Sequence, residues 1–391
     1  MLEQILQGFY SLWQGLKWLK MARRRLSAGT GLYAYAPRVA LVCPVKGMEE
    51  DLESNLLALT QFDYTQYEIF FAIATAEDPA YRVLERVASA SKRPVHIIRA
   101  GRALDCSDKV HNLTAAVGQA NEQFDVLVFT DSDGRPPRRW LARLVAPLAD
   151  ANVGAATTFR WLFPKQRGFW SALAAAWSGS AATYLGEGKR NFCWGGGTAI
   201  KRQRFDELRI LNDWRGAASD DYVLTRALQN NGLRIAFVPE CLVPSPCVYD
   251  VRTFFEFTNR QFVITRIYAP KLWFTALMGH LFYCAAILTG MASWGVSSVM
   301  GLPSMQFLVL ALIPPIFAAV RGVLRLVAVL ELLPDLRERL LKEGWVWVLL
   351  APLVPFVYVY NSLAAIFTRK ITWRGIRYEL VSPFRTRIIA R

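Results

Sequence analysis

Apolar residues recur in three rhythms along the chain, and each rhythm marks a different kind of element. Leu2, Ile5, Leu6, Phe9, Leu12, Trp13, Leu16 and Leu19 fall at helical spacing with Glu3, Gln4, Gln7, Gln14, Lys17 and Lys20 between them. This predicts an amphipathic helix ending at Arg23-Arg24-Arg25. It is too polar to span easily and lacks a signal-peptide cleavage site, so it is expected in the cytoplasmic interface of a membrane, with packing on a soluble domain as the alternative. From residue 37 the rhythm changes to short apolar runs alternating with helical patterns: strands over 38–44, 68–75 and 95–99, helices over 50–61 and 81–90. That alternation predicts a doubly wound α/β sheet. A further buried strand, Val126 to Phe129, runs straight into Asp131-Ser132-Asp133 before Gly134 and two prolines break it.

The third rhythm is no rhythm at all. Residues 272–300 contain no Asp, Glu, Lys or Arg, and 305–330 is apolar apart from Arg321 and Arg325 near one end; each is long enough to cross a bilayer. The segment 293–306 between them carries no charge, whereas 335–343 carries Arg337, Arg339 and Lys342. The positive-inside rule therefore places the α/β region in the cytosol. A third apolar segment, 345–367, reads either as a span or as a re-entrant stretch made possible by Pro352 and Pro355. Re-entry would keep Arg369, Lys370, Arg374 and Arg377 inside. The expected organisation is thus an interfacial helix and basic linker over 1–36, a catalytic domain over 37–270, a membrane region over 271–368 and a basic tail over 369–391.

Composition agrees with a chain of two natures. At 53% hydrophobic with 13 Trp among 391 residues, it is too apolar for an ordinary soluble enzyme, while 20% charged residues exclude an entirely embedded one. The net charge of +15 suits an anionic membrane surface. No nucleic-acid module is present, so nucleic acid is not an expected partner. Six cysteines, scattered without zinc-type pairing, read as reduced thiols of a cytosol-facing domain.

Candidate chemistry gathers where strands end. Asp131 and Asp133 sit at the carboxyl end of a buried strand, where open α/β sheets bind ligands, and two carboxylates one residue apart suit Mg²⁺ or Mn²⁺ bridging a diphosphate. The second strand likewise runs into Glu77-Asp78-Pro79-Ala80. Asp108-Lys109-Val110-His111-Asn112-Leu113 opens a helix in which Lys109 can meet a phosphate and Asn112 can pair with a base or cap a loop. No Gly-x-Gly-x-x-Gly fingerprint follows the first strand and no Gly-Lys-Ser/Thr occurs, which disfavours dinucleotide dehydrogenases and P-loop NTPases. Trp194-Gly195-Gly196-Gly197-Thr198 lets the backbone approach a ligand closely. The aromatic helix over 169–186 reads either as core or as one face of an acceptor groove. Asp221 can take a proton from an attacking hydroxyl, with helix capping by Ser219 or Asp220 as the structural reading of that acidic pair.

Glu77-Asp78-Pro79-Ala80, Lys109-x-x-Asn112-Leu113, Asp131-Ser132-Asp133, Asp220-Asp221-Tyr222 and the closing Ile371-Thr372-Trp373-Arg374-Gly375-Ile376-Arg377-Tyr378 resemble, in order and spacing, the inverting GT-A glycosyltransferases, and most of all the ceramide glucosyltransferase family. The resemblance covers residues 37–380. It implies nucleotide contacts for Glu77 and Asp78 and a donor pocket lined by Lys109 and Asn112. It also implies a metal and diphosphate site at Asp131, completed here by Asp133, and a catalytic base at Asp221. The family closes its site with Arg/Gln-x-x-Arg-Trp. Here Arg260 keeps the first position but Val263 and Ile264 replace the last two, leaving Arg266 to supply the charge.

These features lead to the expectation of a multi-pass membrane enzyme, in the inner membrane if bacterial, with a GT-A domain facing the cytosol. It is expected to move a hexose, glucose from UDP-glucose, onto a lipid hydroxyl in glycolipid or sphingolipid metabolism, aided by a divalent metal. Ceramide-like lipid is the first choice, followed by diacylglycerol, a sterol or carotenoid alcohol, or polyprenyl phosphate; a non-catalytic membrane scaffold is the reading from another class. Asp220, Asp221, Arg260, Arg266, Trp194 and Gly196 are the candidates at the reacting and acceptor side.

Overall fold

The computed structural model describes residues 2–27 and 35–391; the linker expected before residue 36 lies mostly outside them. Two units are distinguished. Helix α1 (Leu2–Ser27) joins Leu162–Tyr184 and Cys247–Thr368 in a helical unit, while residues 35–161, Leu185–Pro246 and Arg369–Arg391 form an α/β unit.

In the α/β unit the chain alternates β1 (Val39–Pro44), α2 (Leu52–Leu59), β2 (Tyr67–Ile73), α3 (Ala80–Ala90), β3 (Val95–Arg99), α4 (Asp108–Gln119), β4 (Val126–Thr130), α5 (Trp140–Val145) and β5 (Val153–Thr157). The short strand β6 (Arg160–Pro164) leads into α6 (Phe169–Ala182) of the helical unit. The α/β unit then resumes with β7 (Gly197–Lys201), α7 (Arg202–Glu207), α8 (Ile210–Trp214), α9 (Asp220–Asn230), β8 (Arg234–Phe237) and β9 (Val243–Cys247). Seven strands form one sheet in the order β3-β2-β1-β4-β7-β5-β8. Strands β1 to β4 are parallel, β7 runs antiparallel to both β4 and β5, and β8 is parallel to β5. The expected doubly wound arrangement is present, with one reversed strand inserted.

The runs of Val, Ala and Leu in β1 and β4 explain this placement. Val39 to Val42 and Val126 to Val128 have no solvent exposure, as expected of central strands covered on both faces. Strand order turns back between β1 and β4, so a crevice opens at their carboxyl ends. Phe62 stacks on Trp140 at 5.6 Å, and the Trp140 indole donates to Cys241 O at 3.0 Å, so this fully buried side chain also has its polar edge satisfied. All six cysteines are buried free thiols.

The C-terminal segment, expected as a basic tail, is a folded part of the α/β unit. Strands β10 (Lys370–Trp373), β11 (Ile376–Ser382) and β12 (Arg385–Ala390) make an antiparallel sheet. The first hairpin turns at Arg374-Gly375, whose φ values of 50° and 78° match the two left-handed positions of a tight turn between twisted strands. Tyr378 is 1% exposed and its hydroxyl accepts from Asp108 N at 3.3 Å, while Thr386 donates to Gly216 O at 2.8 Å.

The helical unit continues with α10 (Val251–Tyr268), α11 (Pro270–Val299), α12 (Met305–Leu332), α13 (Arg337–Leu350) and α14 (Val354–Ile366). Asp250 starts α10 with a capping box closed by Thr253. By length and composition α11, α12 and the stretch Pro334–Ile366 can each cross a membrane. The last is interrupted by a 3₁₀ turn, Ala351–Leu353, at Pro352. Helix α1 lies along α12 in the same direction, with Phe9 edge-on to Phe317 at 5.6 Å and Arg23 paired with Glu331 at 2.7 Å. Helix α6 is packed in this unit: Trp177 stacks on Tyr358 at 5.4 Å and its carbonyl accepts from the Tyr358 hydroxyl at 3.2 Å.

Because Tyr378 is the most buried aromatic of the C-terminal sheet, Tyr378→Ala should cost the α/β unit about 3 kcal/mol, as other buried aromatic truncations do. Pulse proteolysis across a urea series checks it. A midpoint equal to wild type would mean the C-terminal sheet is not part of the cooperative unit.

Candidate active site

Strand β4 ends at Thr130 and delivers Asp131 and Asp133 into the crevice. Lys109, the second residue of α4, places its ammonium 2.9 Å from Asp131 Oδ1 and 3.3 Å from Asp220 Oδ1. Ser107 holds that helix start in place: its hydroxyl accepts from Val110 N at 3.2 Å and donates to Ala218 O at 2.8 Å, tying α4 to the loop before α9. Arg160, opening β6, lies 3.2 Å from Asp131 Oδ2 and 3.4 Å from Asp133 Oδ2, with its guanidinium over the Trp194 ring at 5.3 Å.

Burial works to raise the Asp131 carboxyl, but Lys109 and Arg160 outweigh it and hold the group below the ordinary carboxylate range. Asp220 goes the other way. Its side chain is 5% exposed, and burial, reinforced by Asp221 and Asp131, pushes it up to about 6 despite Lys109. Two acids that share one ammonium are thus driven apart in proton affinity, as their environments require.

Helix α9 is capped by Ser219, whose hydroxyl accepts from Tyr222 N at 3.3 Å. The cap is therefore Ser219, and Asp220 is freed to face Lys109. Asp221 is held by three partners: Gly195 N donates to Oδ2 at 3.2 Å, Tyr222 N donates to Oδ1 at 2.8 Å, and the Ser219 hydroxyl contacts Oδ1. The glycine run passes between the acids. A Cβ at Gly195 would stand 2.5 Å from Asp220 Oδ2 and 2.6 Å from Lys109 Nζ, and one at Gly196 would stand 2.6 Å from Asp131 Oδ2. The small residues are thus already required by the protein's own charged groups, before any ligand arrives.

Lys109, Asp131, Asp133, Trp194, Gly196, Asp220 and Asp221 are brought together as a site. Asn112 lies under it, buried, its amide 3.4 Å from Ala72 O and its Oδ1 without a partner. Glu77 and Asp78 stand at the end of β2; Asp78 accepts from Gly47 N at 3.0 Å and Ala80 N at 3.0 Å, clasping the loop after β1, and Glu77 is exposed. Arg260 and Arg266 belong to the helical unit, the first over Phe257 at 5.7 Å and the second donating to Ala365 O at 2.9 Å. Two residues escape a reading by motif, Arg160 and Glu49, while Arg374 stands in the closing motif 371–378 without a role assigned to it there. Arg374 forms an ion pair with Glu49, and proximity to Glu49, Asp133 and Asp131 raises its proton affinity against the cost of burial. The sequence signal of Arg160 is only a cation at the start of a strand, and that of Glu49 only an acid in the loop after one, patterns that many surface residues share.

Asp131, Asp133, Asp220 and Asp221 face Lys109 and Arg160, leaving a deficit of two positive charges. Among the described residues no three His, Cys, Asp or Glu side chains group to hold a metal. Two carboxylates with hard oxygens nevertheless suit a Mg²⁺-like cation that takes its other ligands from a diphosphate and water.

The seven-stranded mixed sheet, with acids at its switch point and apolar helices after it, defines a GT-A-type α/β protein with a helical membrane-compatible unit. The chain belongs to Glycosyl transferase family 21, whose profile matches residues 4–384. It is similar to ceramide glucosyltransferase 3 of Caenorhabditis elegans, 20% identical over 229 residues covering 56% of this chain and 49% of that one. It is also similar to ceramide glucosyltransferase 1 of the same organism, 22% identical over 243 residues, 60% and 51%. The chain spans about half the length of these curated relatives. Among solved structures, a mannosyltransferase from Pyrobaculum calidifontis in complex with GDP-Man and Mn²⁺ aligns over 92% of this chain and 96% of that one at 17% identity and TM-score 0.47. Glucosyl-3-phosphoglycerate synthase of Mycobacterium tuberculosis aligns over 64% and 83% at 16% identity and TM-score 0.40.

The raised Asp220 carboxyl has a consequence for stability. An unfolded Asp releases its proton near 3.8, so between about 4 and 6 the native state holds more protons than the unfolded one. From this group, stability falls as pH rises through that window. Asp220→Asn should remove a slope worth up to about 3 kcal/mol, read from denaturant unfolding at the two ends of the window. An unchanged slope would place the titration on another group.

Proposed function

We propose that this protein transfers a hexose, glucose from UDP-glucose in the first instance, to the hydroxyl of a membrane lipid, ceramide-like lipid being the favoured acceptor, with inversion of configuration. The observation that carries the reading is the convergence of Asp131, Asp133, Lys109, Asp220 and Asp221 at the carboxyl end of β4 and the start of α9. Family membership and the names of the relatives support the sugar and the acceptor.

In this reading Asp221 takes the proton of the attacking hydroxyl as that oxygen displaces the nucleoside diphosphate in one step. Its bonds from Gly195 N and Tyr222 N keep it oriented until then. Lys109 and Arg160 are the cations that meet the phosphates, and Asp220 keeps the Lys109 ammonium aimed between the two acids. A divalent cation held by Asp131 and Asp133 would neutralise the charge that develops on the departing diphosphate.

The membrane arrangement belongs to the same reading. Residues Leu185–Pro246 and the C-terminal sheet are parts of one α/β unit, so the chain between them crosses an even number of times. We assign the crossings to α11 and α12, and let the stretch broken at Ala351–Leu353 re-enter. Helix α1, lying along α12, shares its slab of the membrane.

Release of UDP from UDP-glucose, together with mass spectrometry of lipids from expressing cells, tests the proposal; no release and no new glycolipid would leave the scaffold reading. Asp221→Asn keeps the shape of the site but loses the proton acceptor, so the transfer rate should fall about a hundredfold or more while donor affinity barely changes. Asp220→Asn should instead weaken donor binding as well, because Lys109 loses a partner; the reverse pattern would exchange the two roles. Asp131→Asn and EDTA should each remove most turnover, and full activity in EDTA would refute the metal assignment.

A further inference from the structure

Away from the acids, the helical unit holds two guanidiniums that no carboxylate among the described residues balances. Arg321 and Arg325 are four residues apart and share one face of α12. Arg321 reaches Thr183 Oγ1 at 3.2 Å and Ser11 Oγ at 3.4 Å; Arg325 reaches Ser180 Oγ at 3.1 Å and Ala176 O at 3.5 Å. Every partner is neutral. The Nε of each arginine is buried without any hydrogen-bond partner. Arginine cannot shed its charge, and two like charges held together away from water cost several kcal/mol each unless an anion joins them.

Their depth selects the anion. At 1.5 Å per residue, Arg325 and Arg321 lie about 10 and 16 Å from the end of α12 at Leu332. A helix of 28 residues is about 42 Å long against a hydrocarbon core of about 30 Å. Placing the excess of about 12 Å at the end that carries Glu331 puts Arg325 at the inner edge of the hydrocarbon and Arg321 a few ångströms within it, from where arginine side chains snorkel to the lipid phosphates. Arginine forks and serine or threonine hydroxyls are the groups that hold phosphate oxygens.

We propose that Arg321 and Arg325, with the hydroxyls of Ser11, Ser180 and Thr183, form a binding site for a phosphate group, supplied by an anionic phospholipid of the inner leaflet. The site rests on reading α12 as a membrane span and is independent of the sugar chemistry. The bound phosphate ties α1, α6 and α12 together, since each contributes a ligand.

The test uses the full chain in neutral detergent, with thermal unfolding as readout. Phosphatidylglycerol should raise Tm by about 3 °C, whereas diacylglycerol with the same acyl chains should not. In Arg321→Gln/Arg325→Gln that response should vanish. Without lipid this variant should be at least as stable as wild type, because two unpaired charges are gone; an arginine pair that only packs would give a less stable variant. Arg321→Lys/Arg325→Lys, which keeps the charge, should retain part of the response. An equal shift in the Gln variant, or an equal shift from diacylglycerol, would overturn the site. The same shift from millimolar inorganic phosphate would assign it to a soluble anion and overturn the lipid source. Carbonate extraction separates the two readings: a chain released from membranes would remove the span itself, whatever the lipid response.

Discussion

The candidate site depends on one buried ammonium. Lys109 stands between Asp131, delivered by β4, and Asp220, delivered by α9, two elements well separated in the chain. Without it, two carboxylates pressed together in a low-dielectric crevice would repel each other and force one to stay protonated. With it, one acid is held below the ordinary carboxylate range and the other is pushed up to about 6. The glycines at 195 and 196 are the steric counterpart of that ion pair, since any side chain there would occupy the space of the charged atoms.

Around this pair the protein is arranged in two materials. The α/β unit buries apolar strands on both faces, so its polar groups are displaced to the strand ends, which is where the chemistry collects. The helical unit has no such outlet. Its apolar exteriors suit lipid, and its charges differ in company: the exposed Arg23 is paired with Glu331, whereas among the described residues Arg321 and Arg325 have only neutral hydrogen-bond partners. The C-terminal sheet returns to the α/β unit and sets Trp373 6.0 Å from Lys109 and Arg374 beside Glu49, so its first hairpin borders a site that also draws on the loop after β1.

Much of this was legible from residue order. Strand runs such as 38–44 and 126–129 appear nearly where expected, because an apolar stretch bounded by turn residues has few other ways to be buried. Motif spacing brought Lys109, Asp131, Asp133, Asp220 and Asp221 forward together, and the structure gathers all five. The aromatic helix α6, readable as core or groove, is packed on Tyr358, a distinction that periodicity does not carry. Of the two caps the sequence allowed for α9, Ser219 and Asp220, the helix uses Ser219, since either side chain satisfies the local pattern and only the position of Lys109 turns Asp220 inward.

By itself, then, the sequence determined the alternation of strands and helices, the lengths of the apolar segments and the acids at the strand ends. Each follows from local periodicity, burial and turn chemistry. Tertiary structure alone decided that β7 enters the sheet reversed, that residues 369–391 fold against the α/β unit, and that Arg160 bridges Asp131 and Asp133. These are contacts between segments far apart in the chain. A single arginine or a short basic strand is locally compatible with many surroundings, and only the packing of the whole selects one.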